Sequence, residues 1–578
     1  MNRKREISRR LVPSELEQSL PQDMHPVLRR VFAARHLDPE SVNTSLSSLI
    51  PVSQMDHSAE AAERLADARK TQQHVLVLGD FDADGATATA LMMTCLHAFG
   101  FKQSSFLVPD RQAYGYGLSA PIVALAAASS PDVIVTVDNG ISSHAGVEAA
   151  NNLGIDVVIT DHHLPGETLP DAAVIVNPNA PDNHFPSKVL AGVGVAFYVM
   201  AALGQRLEAD GLIDVGEARK VCTACLDLVA LGTIADLVPL DRNNRVLVAQ
   251  GMARIRSGNT RPGIKALFSV AGRNISAAAT SDLGFALGPR LNAAGRLTDM
   301  TIGINCLLAE NDLSALKLAN ELSQLNQQRR ELQTQMQLSA EVQLDGIEAK
   351  FADQMTDAVC LFDSSWHQGV VGLVATRIKE RVNRPVIAFA PAESAGQLKG
   401  SGRSVPGVHL RDVLAAVDAS NPGLIRRYGG HAMAAGLSLD KANFEVFTQA
   451  FTQEVAKYAE QIEDIERLWS DGELLAADIN LNMAETLRHA APWGQGFPEP
   501  SFDGCFELID QRIVGKQHLK LRVKPAGGMQ PIDAIAFNQP EILSVGVGQE
   551  VKLVYRLDIN EFRANRSHQL VVQHIECV

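Results

Sequence analysis

The sequence predicts an α/β protein in which a parallel-sheet domain is joined by a long helix to a smaller α/β domain, followed by an all-β domain. In residues 74–179, short β-branched runs alternate with alanine-rich segments of helical period, as is typical of a parallel sheet with crossover helices. Residues 312–345 contain neither Gly nor Pro, which indicates one long helix. Beyond residue 472, strand-like pieces alternate with Gly, Pro and Asn turns.

The composition is that of a large folded protein. Apolar residues make up 46% and charged residues 20% of the 578, which excludes disordered, collagenous and coiled-coil chains. The 52 Lys and Arg against 66 Asp and Glu give a net charge of −14, so any nucleic-acid surface must be local. The seven cysteines lack framework spacing, and Cys222 and Cys225 have no second pair to complete a zinc site. Because no window approaches the roughly 18 apolar residues of a membrane span, we expect a cytoplasmic protein.

The elements divide the chain into five predicted segments. Residues 1–70, with prolines at 13, 21, 26, 39 and 51, form short helices that make an N-terminal cap. Residues 71–310 form the first α/β domain, with strands VLVLG, DVIVTV and IDVVIT and later helices over 193–209 and 216–231. Residues 311–346 form the connecting helix, 347–462 the second α/β domain and 463–578 the β domain.

Acidic and imidazole side chains follow three strands of the first domain. In chain order they are Asp80, Asp82 and Asp84, then Asp138, and then Asp161, His162 and His163. The carboxyl ends of parallel strands share one edge of a sheet, where such proteins bind ligands. Clustered carboxylates with imidazoles suit Mn²⁺ or Mg²⁺, and two such ions about 3.5–4 Å apart promote in-line attack on phosphorus. The alternative is that these are ordinary turn and N-cap residues.

Four motifs occur in order in the first domain: GDFDADG at 79–85, VDNG at 137–140, TDHH at 160–163 and DLVALGTIADLVPL at 227–240. They resemble the motifs of the DHH phosphoesterase superfamily, and their spelling and order resemble the RecJ family of single-strand-specific 5′→3′ exonucleases. Downstream, GPRLNAAGR, HQGVVGLVATR, SGRS and GGHAMAAG are similar to RecJ and its DHHA1 domain. The resemblance implies a DHH domain, a DHHA1 domain and, at the C-terminal end, an OB-fold.

The resemblance also implies a metal centre. Its expected ligands are Asp82, Asp84, Asp138, His162 and Asp227, with Asp80 and His163 in the same catalytic centre. In the fourth motif Asp227 is preferred because it begins the segment, although Asp236 is the alternative. Leu78 stands where the pyrophosphatase branch of the superfamily has a His, which argues against that branch.

Further residues are expected to bind the DNA strand. The resemblance implies that His431 reaches the scissile phosphate. It also implies that the substrate is bound by Arg111, Arg290, Asn292, Arg296, Ser401, Arg403, Gly429 and Gly430. Tyr114 and Tyr116 are candidates for base stacking. In the β domain, Lys516, His518, Lys520, Arg522 and Lys524 alternate with other residues, so they should share one strand face and bind single-stranded DNA.

These observations predict an exonuclease that uses two Mn²⁺ or Mg²⁺ ions to degrade single-stranded DNA 5′→3′ to 5′-mononucleotides, in recombination and repair. The resemblance implies single-strand-binding protein and a helicase as partners, and we expect a monomer. One alternative is a DHH-superfamily phosphodiesterase acting on short oligonucleotides or cyclic dinucleotides; the connecting helix and β domain favour a polymer. Another is a catalytically inactive binding scaffold, against which the intact acids at the strand ends argue.

Overall fold

A computed structural model of the chain describes residues 4–110, 114, 117–350, 357–462, 465–562 and 565–577. They divide into a larger unit, Ile7–Ser323 with Leu468–Val578, and a smaller unit, Met1–Glu6 with Gln324–Arg467. Within the described ranges, no helix combines the length and the apolarity that a membrane crossing requires.

The N-terminal region contains a strand and four helices. They are β1 (Lys4–Arg9), α1 (Ser14–Ser19), α2 (Pro26–Ala33), α3 (Pro39–Val42) and α4 (Ser58–Lys70). Pro26 and Pro39 each occupy the first position of a helix, where the missing backbone N–H costs nothing. The prolines of this region therefore start helices as well as separate them.

A parallel sheet forms the core of the larger unit and confirms the predicted fold class. Its strands are β2 (Val75–Gly79), β3 (Ser104–Leu107), β4 (Val133–Val137), β5 (Asp156–Thr160) and β6 (Val174–Val176), in the order β3-β2-β4-β5-β6. The intervening helices are α5 (Ala83–Ala98), α6 (Ala120–Ala127) and α7 (His144–Asn152). All residues of β2 and β4 are buried, as their continuous apolar sequences require in a sheet covered on both faces. The strands that precede the three acidic segments are thus direct neighbours.

Helices complete this part of the larger unit. They are α8 (Gly192–Ala209), α9 (Glu217–Ala224), α10 (Leu226–Asp236), α11 (Arg242–Arg256), α12 (Pro262–Val270), α13 (Thr280–Asp282), α14 (Gly288–Leu297) and α15 (Thr301–Leu308). The single helix predicted over 216–231 is wrong, because the backbone leaves helical geometry at Cys225 and two helices result. A π-helical turn, Leu283–Leu287, leads into α14.

The smaller unit contains most of the long helix and a mixed sheet. The helix, α16, spans Asp312–Lys350 and confirms the Gly- and Pro-free prediction. The strands are β7 (Val359–Phe362), β8 (Val386–Pro391), β9 (Gln397–Arg403), β10 (Arg427–Gly430) and β11 (Ala434–Asp440), in the order β10-β11-β9-β8-β7. The remaining helices are α17 (Val371–Val382), α18 (Leu410–Ser420) and α19 (Phe444–Ala456). Only the β7–β8 pair is parallel among these described strands.

The C-terminal region forms a closed barrel. Strand β12 (Ile465–Ser470) and helix α20 (Leu481–His489) precede β13 (Phe502–Val514), β14 (His518–Pro525), β15 (Ile532–Ala536), β16 (Glu550–Phe562) and β17 (Asn565–Cys577). The barrel order is β13-β14-β15-β17-β16. The prediction of an exclusively β tail missed α20, whose apolar residues Met483, Ala484 and Leu487 are buried.

The N-terminal region is attached to the segment that leads into the barrel. Strand β1 pairs with β12 in a two-stranded sheet. Arg9 donates to the carboxylate of Asp503 at 2.7 Å, and Arg35 donates to that of Asp471 at 2.7 Å. Asp503 and Asp471 are both almost fully buried. The N-terminal region is therefore bound to the segment that leads into the barrel.

Candidate metal centre

Among the described residues, three groups of acidic and imidazole side chains have the spacing of metal ligands. In each group the ligand atoms lie within 4.8 Å of one another. The groups are Asp80, Asp82 and Asp138; Asp84, His162 and Asp236; and Asp138, His162 and His163. Asp138 and His162 each belong to two groups, so the three form one continuous cluster at the carboxyl edge of the sheet.

The loop after β2 delivers the first acids. Asp82 is the N-cap of α5, and its carboxylate accepts hydrogen bonds from the backbone N–H groups of Asp84 at 2.9 Å and Gly85 at 3.1 Å. A Cβ at Gly85 would lie 2.7 Å from the carbonyl oxygen of Asp80, so only glycine fits there. The motif spacing thus follows from a tight strand-to-helix turn.

The second strand places Asp138 beside His162. Asp138 has a left-handed backbone (φ +63°), and its N–H donates to the carbonyl of Thr160 at 3.0 Å. The side chain of the next residue, Asn139, donates to the carbonyl of Val137 at 2.9 Å. Asp138 Oδ1 lies 3.0 Å from His162 Nε2. Two neighbouring strands are therefore joined at the cluster by a carboxylate and an imidazole.

The residues after the third strand are arranged by Asp161. Its Oδ1 accepts from the backbone N–H of His162 at 2.7 Å and from Nδ1 of His163 at 2.8 Å. Asn179 donates to the carbonyl of His162 at 2.7 Å, and Asn177 to that of His163 at 2.9 Å. Asp161 therefore orients the imidazole of His163 and fixes the backbone of His162. The sequence reasoning missed the supporting asparagines, although the NPN after β6 marks a turn at this edge.

The acids of the cluster disfavour one another's ionisation. Burial and the charge of Asp84 raise the pKa of Asp138 well above its usual range, while burial and the charge of Asp236 do the same for Asp84. Burial and the charge of Asp82 raise the pKa of Asp236 to about 7. Divalent cations would remove this repulsion, and oxygen donors with few imidazoles suit Mn²⁺ or Mg²⁺.

The two imidazoles differ in protonation. Burial and the neighbouring His163 lower the pKa of His162 to about 4, which keeps its ring neutral as a metal ligand requires. Burial opposes protonation of His163, but the hydrogen bond and charge of Asp161 outweigh it and raise that pKa to about 9. The donor set therefore fits divalent cations.

The preference for Asp227 in the fourth motif is corrected by the structure. Asp227 begins α10 and Asp236 ends it, and only Asp236 enters a donor group of the described residues. The carboxylate of Asp227 instead contacts the guanidinium of Arg261 at 3.2 Å and accepts from the hydroxyl of Thr260 at 2.6 Å. Its role in this fold is a buried ion pair. The thiols of Cys222 and Cys225 are also buried and lie outside the described donor groups.

Helix α14 contacts the acidic loop. Asn292 Oδ1 accepts the backbone N–H of Ala83 at 2.7 Å, and a Cβ at Gly295 would lie 1.7 Å from the carbonyl oxygen of Phe81. The guanidinium of Arg290 is buried and donates to the carbonyl of Ala286 at 2.6 Å, whereas Arg296 is half-buried. The acceptor of Asn292 is therefore used within the protein, a role different from the predicted DNA contact.

In the smaller unit, three strands align small residues across a sheet. Gly429 of β10 pairs with Gly436 of β11, which pairs with Ser401 of β9. Nothing would lie within 4 Å of a Cβ at Gly429, so the surface there is open. Gly430 has φ +141°, and the N–H of His431, the next residue, donates to the carbonyl of Ala434 at 2.8 Å. This edge could admit a phosphate-bearing backbone.

Arg403 is the last residue of β9 and lies close to a helix. Its Nη1 donates to Ser401 Oγ at 3.1 Å. A Cβ at Gly372, in the first turn of α17, would lie 2.9 Å from both Ser401 Oγ and Arg403 Nη2. A hydroxyl and a guanidinium thus meet a helix N-terminus, an arrangement suited to an anion.

The basic stripe of the barrel is partly neutralised. The residues at 518, 520, 522 and 524 point outward from β14, while Leu519, Leu521 and Val523 are buried. Lys520 lies 2.8 Å and Arg522 3.8 Å from the carboxylate of Asp533. Lys516 is not on the strand as predicted, because it lies in the preceding turn at φ +63°.

Two predicted contacts, Arg111 and Tyr116, fall outside the described residues, and Tyr114 is 39% exposed.

Known proteins resemble the whole chain. Family models match residues 74–233 (DHH family, N-terminal domain), 354–457 (DHHA1 domain) and 470–574 (RecJ OB domain). Single-stranded-DNA-specific exonuclease RecJ of Dickeya dadantii is 50% identical over 97% of both chains, and that of Escherichia coli 50% over 96% of both. The crystal structure of RecJ in complex with Mn²⁺ from Thermus thermophilus matches with a TM-score of 0.80 at 28% identity, covering 100% of this chain and 80% of that one. The same protein in complex with Mg²⁺ matches with a TM-score of 0.74 at 26% identity, covering 100% and 79%. With relatives this similar over nearly its full length, the chain belongs to the RecJ family of single-stranded-DNA-specific exonucleases.

Proposed function

We propose that this chain is a metal-dependent exonuclease that degrades single-stranded DNA 5′→3′ to 5′-mononucleotides during DNA recombination and repair. The observation that carries the proposal is the cluster of carboxylates and imidazoles at the carboxyl edge of the parallel sheet. Membership of the RecJ family supplies the substrate class. The polarity and the product are expectations that rest on the resemblance of the motifs.

The metal ligands in this proposal are Asp80, Asp82, Asp84, Asp138, His162 and Asp236, and His163, whose raised pKa keeps it protonated, lies in the same centre. When bound, two Mn²⁺ or Mg²⁺ ions would supply an activated water and neutralise charge on the scissile phosphate. The protein's contribution is to hold the donors in place before the ions arrive. Asp161 orients the imidazole of His163, and the N-cap geometry of Asp82 directs its carboxylate.

Strand cleavage requires water to attack phosphorus while the 3′ oxygen leaves and takes up a proton, which releases a 5′-mononucleotide. We assign recognition of the terminal 5′-phosphate to Ser401 and Arg403, next to the first turn of α17. Gly429 and Gly430 allow the strand backbone to approach, and His431 is the proposed contact of the scissile phosphate.

Basic side chains would guide the strand. Arg296 on α14 is proposed to lie along its path near the acidic loop, where the buried Arg290 supports the helix instead, and Lys516, Lys520 and Arg522 are proposed to hold the strand at the barrel. We also propose the domain limits expected from the sequence, which are 1–70, 71–310, 311–346, 347–462 and 463–578. We further propose a cytoplasmic monomer that works with single-strand-binding protein and a helicase, because duplex DNA must first be opened.

The proposal is tested by digesting a long single strand labelled at either end, with and without a 5′-phosphate, in Mn²⁺, Mg²⁺ or EDTA. We expect stepwise loss from the 5′ end that stops in EDTA and spares duplex DNA. An intact long strand in Mn²⁺, with dinucleotides hydrolysed, would refute the proposal.

A further inference from the structure

The first turn of α8 contacts two acids of the cluster. Backbone N–H groups of Gly192 and Val193 donate to opposite oxygens of Asp84, at 2.6 Å and 3.0 Å. Asp84 is 1% exposed, so these bonds form away from water. The α8 helix has 18 residues, and the positive end of its dipole faces this carboxylate. Asp84 is therefore held by backbone donors independently of any ion.

Gly192 also touches Asp138. A Cβ at position 192 would lie 2.6 Å from the Cβ of Asp138 and 2.7 Å from its Oδ1. Gly192 lies within α8 and is not among the residues with positive φ, so its backbone conformation does not require glycine. Glycine is needed at position 192 for lack of space, because real Cβ atoms do not approach other atoms so closely.

We propose that Gly192 is a positioning residue of the metal centre, whose N–H group fixes Asp84 and whose missing side chain lets Asp138 stand beside it. This inference rests on the proposed function, since it assumes that the two carboxylates bind metal. Through Gly192, the first turn of α8 sets the separation of the Asp84 and Asp138 carboxylates. Residues that orient ligands commonly change metal affinity by 10–100-fold when they are replaced.

The test compares Gly192→Ala with Gly194→Ala in the full chain. Gly194 lies in the same turn, and the three atoms nearest to a Cβ there all belong to the Leu190 side chain, the first at 3.1 Å. Both changes give the helix the same gain in propensity. We expect Mn²⁺ binding, measured by calorimetry without DNA, to weaken about 10–100-fold for Gly192→Ala and to stay near the wild-type value for Gly194→Ala. Thermal unfolding in EDTA checks the fold of each variant.

A double-variant cycle identifies the route of the effect. In an Asp138→Gly background, which removes the Cβ as well as the carboxylate and suits the φ of +63° at that position, the Cβ at 192 has room, so Gly192→Ala should fold and weaken Mn²⁺ binding no further. Unchanged Mn²⁺ affinity in Gly192→Ala, an equal loss in the Asp138→Gly background, or failure of the double variant to fold would each overturn the role of Gly192. A wild-type protein that bound no Mn²⁺ would instead overturn the proposed function.

Discussion

Asn substitutions at Asp227 and Asp236, the two ends of α10, should have opposite effects on stability. Asp227 is 1% exposed, and its carboxylate contacts the guanidinium of Arg261 at 3.2 Å. Removing one partner of a buried ion pair costs about 3–5 kcal/mol. Asp227→Asn should therefore lower the unfolding temperature in EDTA and in Mn²⁺ alike, without removing the extra stability that Mn²⁺ confers.

Asp236 makes the metal-free protein less stable. Its folded-state pKa is about 7 and the ordinary value is 3.8. Because the folded state resists losing this proton, its stability falls as the pH rises from the ordinary pKa to about 7, and the loss is complete above that. About three pH units at 1.36 kcal/mol each correspond to ~4 kcal/mol. Asp236→Asn should recover part of this free energy in EDTA, most above pH 7 and least near pH 4.

The assay is thermal unfolding of wild type and both variants in EDTA and in saturating Mn²⁺, at about pH 5 and about pH 8. Ion binding stabilises the folded state by an amount that depends on affinity. We expect the Mn²⁺-dependent rise in unfolding temperature to shrink for Asp236→Asn and to persist for Asp227→Asn. The reverse pattern would refute the assignment of Asp236 to the centre.

Three further predictions concern cleavage and DNA binding. Asp138→Ala should abolish cleavage yet leave circular dichroism unchanged in EDTA, because it truncates an edge residue of the sheet; retained activity would contradict its role as a ligand. Arg403→Ala should reduce the preference for 5′-phosphorylated over 5′-hydroxyl strands in competition digests, and an unaltered ratio would exclude that contact. Asp533→Asn should free Lys520 and strengthen binding of single-stranded DNA in EDTA, with a steeper dependence of affinity on salt, since one more cation can meet a phosphate; weaker binding would argue against the barrel stripe.

The strand ends of the metal centre could be predicted because each acid follows a buried apolar run. A parallel sheet brings those ends to one edge whatever the loops do. Asp227 and Asp236 both occur on one helix, where helical periodicity puts them on opposite faces, but the periodicity does not say which face meets the metal centre. The choice depends on tertiary neighbours, Arg261 at one end and His162 at the other, which lie far away in the sequence.

Local backbone geometry explains the other differences. Alternation predicted the outward face of β14, but Lys516 leaves the pattern because the turn requires a left-handed residue there. The break between α9 and α10 at Cys225 could not be predicted, because no Gly or Pro marks it in the sequence. Asn292 has a side chain that could contact DNA. Only the folded structure shows that its Oδ1 already accepts the backbone N–H of Ala83.

The pairing of β1 with β12 has a consequence for synthesis of the protein. Residues 4–9 are synthesised long before their partner, residues 465–470. At about 5–20 residues per second the first strand waits roughly 20–90 s with its backbone hydrogen bonds unmade. During that interval it is an exposed edge that other chains can pair with. The charged residues of KREISR discourage such pairing, and fusions near this strand should be designed so that they do not occupy it.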